Sequence, residues 1–235
     1  VYLPLELAFA RHQRPTLEEA MEELSEVDDK PYEVFLRRRL ELGRLMAALP
    51  RFASVTLARF EDTVSPDDEM QFCALAATLP NGSLALCYRG TDTTLVGWKE
   101  DFNLSFESPV PAQEAALNFA EEAAERSVAP LYLLGHSKGG NLAVYAAANL
   151  SWEEQKRIEA VYTFDGPRLM PEAAETDGYR RISGRIVSLL PQGTLVGLLL
   201  HRHKPAKVVK SRALGLFQHD LFSWEVLEGT ARFEY

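Results

Sequence analysis

Short apolar runs alternate with segments of helical spacing along most of the chain. The runs that predict strands are Met70 to Leu79, Ser83 to Tyr88, Leu131 to Leu134, Ala160 to Phe164, Arg185 to Leu190 and Lys207 to Arg212. Between them, Ala112 to Arg126 and Asn141 to Ala148 predict helices. Strands that alternate with helices are typical of an α/β protein with a mostly parallel, doubly wound sheet.

The sheet is expected to start antiparallel. Pro80-Asn81-Gly82 joins the first two apolar runs, and Asn-Gly between such runs predicts a hairpin. Phe52 to Glu61 alternates loosely and predicts a further strand, with a turn after it at residues 64–69.

The N-terminal 50 residues show helical patterns instead. Thr16 and Glu19 form a capping-box pattern that opens a helix, and leucines at helical spacing predict a second helix over Tyr32 to Leu49, ended by Pro50. No repeat or low-complexity linker interrupts the chain. We therefore predict one domain over residues 1–235, with residues 1–50 as a helical flank or cap.

Composition narrows the classes of partner. The net charge of −9 over 235 residues argues against a nucleic-acid partner and provides no basic surface for anionic lipid. The sequence contains no run of eighteen apolar residues, so no integral membrane segment is expected. It also shows no signal-peptide pattern. Cys73 and Cys87 lie in separate apolar runs, which favours buried thiols in a reducing, cytoplasmic location rather than metal ligands. The sequence starts at Val1 rather than at Met, so this expectation concerns the residues present.

The pentapeptide Gly135-His-Ser-Lys-Gly139 lies between a predicted strand and a predicted helix. G-x-S-x-G in this context predicts a nucleophile elbow, a strained turn that lifts the Ser137 hydroxyl above the sheet. The helix that follows directs its free N–H groups towards a developing oxyanion. Ser137 is therefore the candidate nucleophile.

A serine nucleophile needs a base, and three histidines follow Ser137: His201, His203 and His219. His219 comes after the last predicted strand, where this fold delivers its histidine, so it is favoured. His201 remains an alternative, although it flanks a basic corner with His203. A buried, non-catalytic His219 also stays open.

The acid that orients the base is predicted at Asp165, which directly follows a strand at the edge where such sheets gather functional residues. The alternative is a loop aspartate that caps the turn at Gly166. Asp177 has the context of a turn residue, and Asp220 adjoins His219 too closely in the chain to face it.

The oxyanion hole is predicted to combine the backbone N–H of Lys138 with Thr91, after the close-approaching Gly90. Asp101 is expected to hold the Thr91 hydroxyl, unless it is a surface or capping residue. The His136 side chain is expected to pack and the Lys138 side chain to be solvated.

Five segments resemble an uncharacterised bacterial family of lipase-like α/β-hydrolases and, more distantly, the class 3 (fungal-type) lipases. These segments are Cys87-Tyr-Arg-Gly-Thr91, Gly97-Trp-Lys-Glu-Asp101, Leu134-Gly-His-Ser-Lys-Gly-Gly-Asn141, Phe164-Asp-Gly-Pro167 and Gln218-His-Asp-Leu-Phe-Ser-Trp224. The resemblance implies an α/β-hydrolase fold, with Ser137 as nucleophile, His219 as base and Thr91 as oxyanion residue supported by Asp101.

The position of the carboxylate that would orient His219 differs from the pattern of the class 3 lipases. Class 3 lipases place it after the strand that here is Arg185 to Leu190, and the matching residue is Thr194. Three interpretations stay open: the acid has moved to Asp165, the site is a Ser-His dyad, or catalysis has been lost.

The favoured function is hydrolysis of carboxylic esters, in lipids or small molecules, through an acyl-enzyme that requires no metal or cofactor. The apolar run Thr194 to Leu200 lines an acyl pocket under this hypothesis, or belongs to the core. A thioesterase or peptidase would use the same residues. The alternative from another class is a non-catalytic binding or regulatory module on a hydrolase scaffold.

Overall fold

The computed structural model describes residues 5, 8–9, 13–25, 34–92, 94–198, 206–228 and 233. Its centre is a seven-stranded mixed sheet whose strands follow one another in chain order. The strands are β1 (Thr56–Ser65), β2 (Met70–Thr78), β3 (Leu84–Tyr88), β4 (Leu131–His136), β5 (Ile158–Phe164), β6 (Ile186–Pro191) and β7 (Lys207–Val209).

Helices precede the sheet and connect its parallel strands. They are α1 (Leu17–Ser25), α2 (Val34–Ala47), α3 (Pro50–Ala53), α4 (Leu95–Asn103), α5 (Pro111–Glu125), α6 (Lys138–Asn149), α7 (Trp152–Lys156), α8 (Pro171–Ala174) and α9 (Asp177–Ile182). Short 3-10 turns follow at Ser183–Arg185, Val196–Leu198, Gly215–His219 and Leu221–Ser223.

The start of the sheet is antiparallel, as the sequence predicts. β1 pairs with β2 and β2 with β3 in antiparallel register, and Gly82 adopts φ 84° in the hairpin turn. The strand predicted over Phe52 to Glu61 begins later, at Thr56, because Phe52 belongs to α3. Pro50 lies in the first turn of that helix, where a missing N–H is tolerated, and the preceding helix has already ended at Ala47.

The strands β3 to β7 are parallel, and each pairs with the next along the chain. Right-handed crossovers that always advance in one direction place their helices on one face. The helices α5, α6 and α9 accordingly pack into one core with the sheet. This core contains Phe72, Leu86, Tyr88, Phe119, Leu131, Leu133, Leu142, Val161 and Ile182.

Other segments cover parts of the opposite face. Ala20 of α1 packs with Leu57 and Ala77, and Trp224 packs with Leu189 and Val209 near the other edge. The predicted α/β class, with a mostly parallel sheet, an antiparallel start and an N-terminal helical flank, is confirmed. The predicted doubly wound arrangement, with connecting helices on both faces, is not what the strand order gives. The connecting helices lie on one face, and the N- and C-terminal segments supply cover on the other. Within the described ranges, every helix is too short or too polar to cross a bilayer.

Candidate active site

The elbow forms at the end of β4, where Ser137 adopts φ 58° and ψ −133° and precedes α6. Few residues other than glycine take this backbone conformation, so Ser137 carries local strain. The glycines on either side permit the tight turn. A Cβ on Gly135 would lie 2.1 Å from the Gly139 carbonyl oxygen, and one on Gly139 would lie 2.2 Å from the Tyr88 oxygen.

The Gly90–Thr91 segment passes directly beside the elbow. A Cβ on Gly90 would lie 2.8 Å from the His136 carbonyl oxygen and 3.1 Å from Ser137 Cβ, so only glycine allows this approach. The next residue, Thr91, donates its hydroxyl to Asp101 Oδ2 at 2.6 Å. Burial raises the pKa of the Asp101 carboxyl above its usual range, and the hydrogen bond from Thr91 opposes that shift.

His219 lies between Ser137 and Asp165. Its Nδ1 is 2.7 Å from Asp165 Oδ2, and its Nε2 is 2.9 Å from Ser137 Oγ. A carboxylate only accepts, so Nδ1 carries the proton and, in the neutral ring, Nε2 accepts from the serine hydroxyl. The structure thus joins three residues that are far apart in the sequence into one hydrogen-bonded chain.

Asp165 is buried, with 1% of its surface exposed, and it occupies a left-handed turn at φ 47° directly after β5. Its second oxygen, Oδ1, accepts from the Thr194 hydroxyl and from the Gly197 N–H at 3.2 Å. Both carboxylate oxygens therefore have donors. Thr194, which follows β6, contacts the carboxylate from the neighbouring strand end.

Gln218 fixes the turn that carries His219, a role that no sequence motif indicated. Its Oε1 accepts from the Gly193 N–H at 2.7 Å and its Nε2 donates to the Ala213 carbonyl at 3.0 Å. Trp224 Nε1 donates to the Gln218 carbonyl at 2.8 Å. A buried amide beside the candidate histidine carries no periodic signal, so only its position next to His219 could have indicated it.

His136 packs, as expected, but it packs on His219. The two ring centroids are 4.5 Å apart, and His136 Nε2 donates to the His219 carbonyl at 2.8 Å. Burial, together with the neighbouring His219, lowers the pKa of His136 from 6.5 to about 4. His136 is therefore neutral at pH 7 beside the ring that is the candidate base.

The expectation that the Lys138 side chain is solvated is wrong. It is 1% exposed and lies 2.6 Å from Oε2 of Glu100, which is fully buried. The ammonium turns inward because Glu100 and Gln71 provide buried acceptors for it, and charge-assisted hydrogen bonds of this kind are strong. The backbone N–H of Lys138, the predicted oxyanion donor, opens α6 directly after Ser137.

The remaining candidates lie elsewhere. Asp220 accepts from the Phe222 N–H at 3.2 Å, and Asp177 pairs with Arg180 on the surface. Neither contacts His219 in the hydrogen bonds of the described chain. The alternative base His201 and its neighbour His203 lie outside the described residues.

Exposed apolar side chains border the segments that carry Asp101 and His219. On α4 they are Leu95, Trp98 and Phe102, and before His219 they are Leu214, Leu216 and Phe217. In the run expected to line an acyl pocket or to belong to the core, Thr194 is buried whereas Leu195 is exposed, and residues 199–200 lie outside the described part.

A family model described as Mbeg1-like matches residues 46–234. The chain belongs to the Mbeg1-like family. The match extends from the end of α2 past the last strand, so it includes every residue of the Ser137–His219–Asp165 cluster. No curated protein matches this Mbeg1-like chain.

Solved structures similar to this Mbeg1-like protein include two lipases and a protein named MDLA. A fungal lipase–inhibitor complex, presented as a model for interfacial activation in lipases, matches with 14% identity and a TM-score of 0.45, over 67% of this chain and 66% of the other. The native Rhizomucor miehei lipase propeptide complex matches with 15% identity and a TM-score of 0.47, over 74% of this chain and 63% of the other. A mutant form of MDLA from Penicillium cyclopium matches with 13% identity and a TM-score of 0.49, over 88% of this chain and 78% of the other. The chain thus spans less than two thirds of the length of the first two lipases.

Proposed function

We propose that this protein is a serine hydrolase that cleaves carboxylic esters through an acyl-enzyme on Ser137. The observation that carries the proposal is the continuous hydrogen-bonded chain from Asp165 through His219 to Ser137. Such a chain joins nucleophile, base and orienting acid in the geometry that acyl transfer requires. Asp165 is assigned as the acid in place of the residue after β6.

In the first half of the reaction, Ser137 Oγ attacks the acyl carbon while its proton passes to His219 Nε2. The Asp165 carboxylate stabilises the imidazolium. The Lys138 N–H and the Thr91 hydroxyl stabilise the oxyanion, and for this the hydroxyl turns its single proton from Asp101 to the substrate. Collapse of the tetrahedral intermediate expels the alkoxide, which takes the proton from His219. Water then attacks the acyl-enzyme by the same route, and releases the carboxylic acid and free Ser137.

The substrate class proposed is an ester with an apolar acyl or alcohol part. Support comes from the exposed apolar side chains of α4 and of the turn before His219, which would contact such groups beside the site. Thioesters and amides pass through the same kind of intermediate. We therefore expect p-nitrophenyl esters to be cleaved faster than matched amides, because p-nitrophenolate is an easier group to expel than an amine.

Covalent labelling tests the proposal without knowledge of the natural substrate. A fluorophosphonate probe should label the wild-type protein, and Ser137→Ala should abolish both labelling and hydrolysis of p-nitrophenyl butyrate. The exposed Ser105→Ala is the matched control and should retain both. Failure of the folded wild-type protein to react would overturn the proposal and would favour the binding-module hypothesis.

The oxyanion assignment has its own test. Loss of one donor of this kind typically lowers kcat by about 10²–10³. Thr91→Ala should show a loss of this order while the protein stays folded, whereas Thr91→Ser should keep much of the activity. Wild-type rates in Thr91→Ala would remove Thr91 from the hole.

A further inference from the structure

A buried ion pair lies directly beneath the nucleophile elbow. The Lys138 ammonium has three acceptors: Glu100 Oε2 at 2.6 Å, the Gln71 carbonyl at 2.6 Å and Gln71 Oε1 at 2.9 Å. The Glu100 carboxylate also accepts from the Gln71 N–H at 3.2 Å and from the Ala112 N–H at 2.9 Å. An ammonium with three acceptors and a carboxylate with several donors form a satisfied charged pair.

The pair connects two parts of the candidate oxyanion hole. Lys138 supplies one donor through its backbone N–H, and Glu100 is the chain neighbour of Asp101, which holds the Thr91 hydroxyl at 2.6 Å. Gly97, on the same helix, packs so closely on Thr91 that a Cβ there would lie 2.9 Å from Thr91 Cγ2. The position of α4 relative to the elbow therefore determines where Thr91 lies.

Little else anchors α4 in the core. Its buried residues are Gly97 and Glu100, so the only substantial buried side chain on this helix is a carboxylate. The outer positions Leu95, Trp98 and Phe102 are exposed. An ordinary amphipathic helix is held by an apolar stripe, whereas the buried side chain of this one carries a charge.

Stability alone does not account for such a pair. Replacing a buried ion pair by apolar residues is often neutral or stabilising, since desolvation opposes the attraction between the charges. What an ion pair adds is a defined position, because two charges with directed hydrogen bonds fix the register between the elements that carry them.

We propose that Lys138 and Glu100 are positioning residues that keep Thr91 in register with the Lys138 N–H. This inference rests on the proposed function, since the hole matters only for a reaction with a developing oxyanion. The Lys138 side chain, next to the nucleophile, thereby links both donors through its contact with Glu100.

A double-mutant cycle separates positioning from general destabilisation. Glu100→Gln keeps the shape and an acceptor for the Ala112 N–H, and we expect it to lower kcat for p-nitrophenyl butyrate about tenfold with KM within about twofold. In a Thr91→Ala background, the same change should cost less than about twofold, because the donor that the pair positions is already absent. An equal loss in both backgrounds would overturn the inference.

The matched control is Glu69→Gln. Glu69 lies in the turn between β1 and β2 and accepts from two α4 side chains, Lys99 and, at 3.1 Å, Asn103 Nδ2. These contacts lie at the surface, where Lys99 is exposed and Glu69 partly exposed, so their weakening should leave kcat within about twofold. Should Glu100→Gln fold poorly because it leaves the ammonium unpaired, Glu100→Gln with Lys138→Met removes both charges. This double variant should fold and still show the reduced kcat, and recovery of wild-type kcat would contradict a positioning role.

Hydrogen exchange of the α4 amides tests the positioning without any turnover. Glu100→Gln should speed exchange over residues 97–103, whereas Glu69→Gln should change it less. Unchanged exchange in Glu100→Gln would overturn the positioning inference. The proposed function would still stand in that case, provided that fluorophosphonate labels Ser137. Loss of labelling in the wild-type protein, in contrast, would overturn the proposed function itself.

Discussion

The Thr194 hydroxyl donates a hydrogen bond to Oδ1 of Asp165. Thr194 follows β6 and Asp165 follows β5, so the bond joins the ends of two adjacent parallel strands. The resemblance to class 3 lipases implied an acid at the position of Thr194. The residue at that position therefore contacts the carboxylate that comes from one strand earlier.

Thr194→Val should weaken the site through this bond. The change preserves the branched shape and removes a donor to a buried carboxylate, which costs about 1–3 kcal/mol of stability. We also expect kcat for p-nitrophenyl butyrate to fall about tenfold, because Asp165 loses part of its orientation. Thr194→Ser keeps the hydroxyl and should behave like the wild type in the same assays.

Asp165→Asn should abolish most activity. In a serine protease triad the corresponding change lowers kcat about 10⁴-fold, because the histidine is held in the wrong tautomer. We expect a loss of at least about 10³-fold here. Asp220→Asn is the control, since that side chain caps a turn beside His219 without contacting the ring. If Asp165→Asn lost less than about tenfold, the site would be a dyad.

His136 should make the protein less stable in acid. Its pKa in the folded protein is about 4 against an ordinary 6.5, so between these values the unfolded chain binds a proton that the folded chain does not. Stability is therefore present above pH 6.5 and is lost as the pH falls towards 4. From pH 7 to 4.5 this loss amounts to about 2 kcal/mol.

Urea unfolding at both pH values measures this loss. His136→Gln keeps a donor for the His219 carbonyl but does not titrate, so the stability of the variant should decline less between pH 7 and 4.5. The difference in decline between the two proteins isolates His136 from the other titrating groups. Equal declines would contradict a neutral, buried His136.

Gly135→Ala should destabilise the fold severely. The added Cβ would lie 2.1 Å from the Gly139 carbonyl oxygen, a distance that only movement of the backbone could relieve. We expect a loss of about 3 kcal/mol or more in urea unfolding. Gly184→Ala meets nothing within 4 Å and should be neutral or slightly stabilising. Similar effects of the two changes would show that the elbow is not tightly packed.

The sequence predicts the parts of the structure that follow from local rules. Asn81-Gly82 predicted the hairpin, and the capping pattern at Thr16 predicted a helix start that the structure contains. The candidate site was predictable because the ends of parallel strands meet at one edge, which brought Asp165 to the elbow. His219 followed from the chain order of this fold.

Other features depend on partners that are distant in the chain. The direction of the Lys138 side chain is decided by Glu100, which lies 38 residues earlier. Glu100 belongs to a helix whose apolar residues face outward, so periodicity did not mark it as buried. The contact between His136 and His219 spans 83 residues and has no motif of its own. Such pairs arise from packing and become visible only in three dimensions.

The order of the strands also bears on how the protein is synthesised. Each strand pairs with the strand made just before it, so the sheet can extend while the chain leaves the ribosome. Ser137 and Asp165 are in place once β4 to β6 have paired, whereas His219 follows β7. The proposed nucleophile therefore lacks its base until the last segment docks, and an incomplete chain would not yet hydrolyse esters by this mechanism.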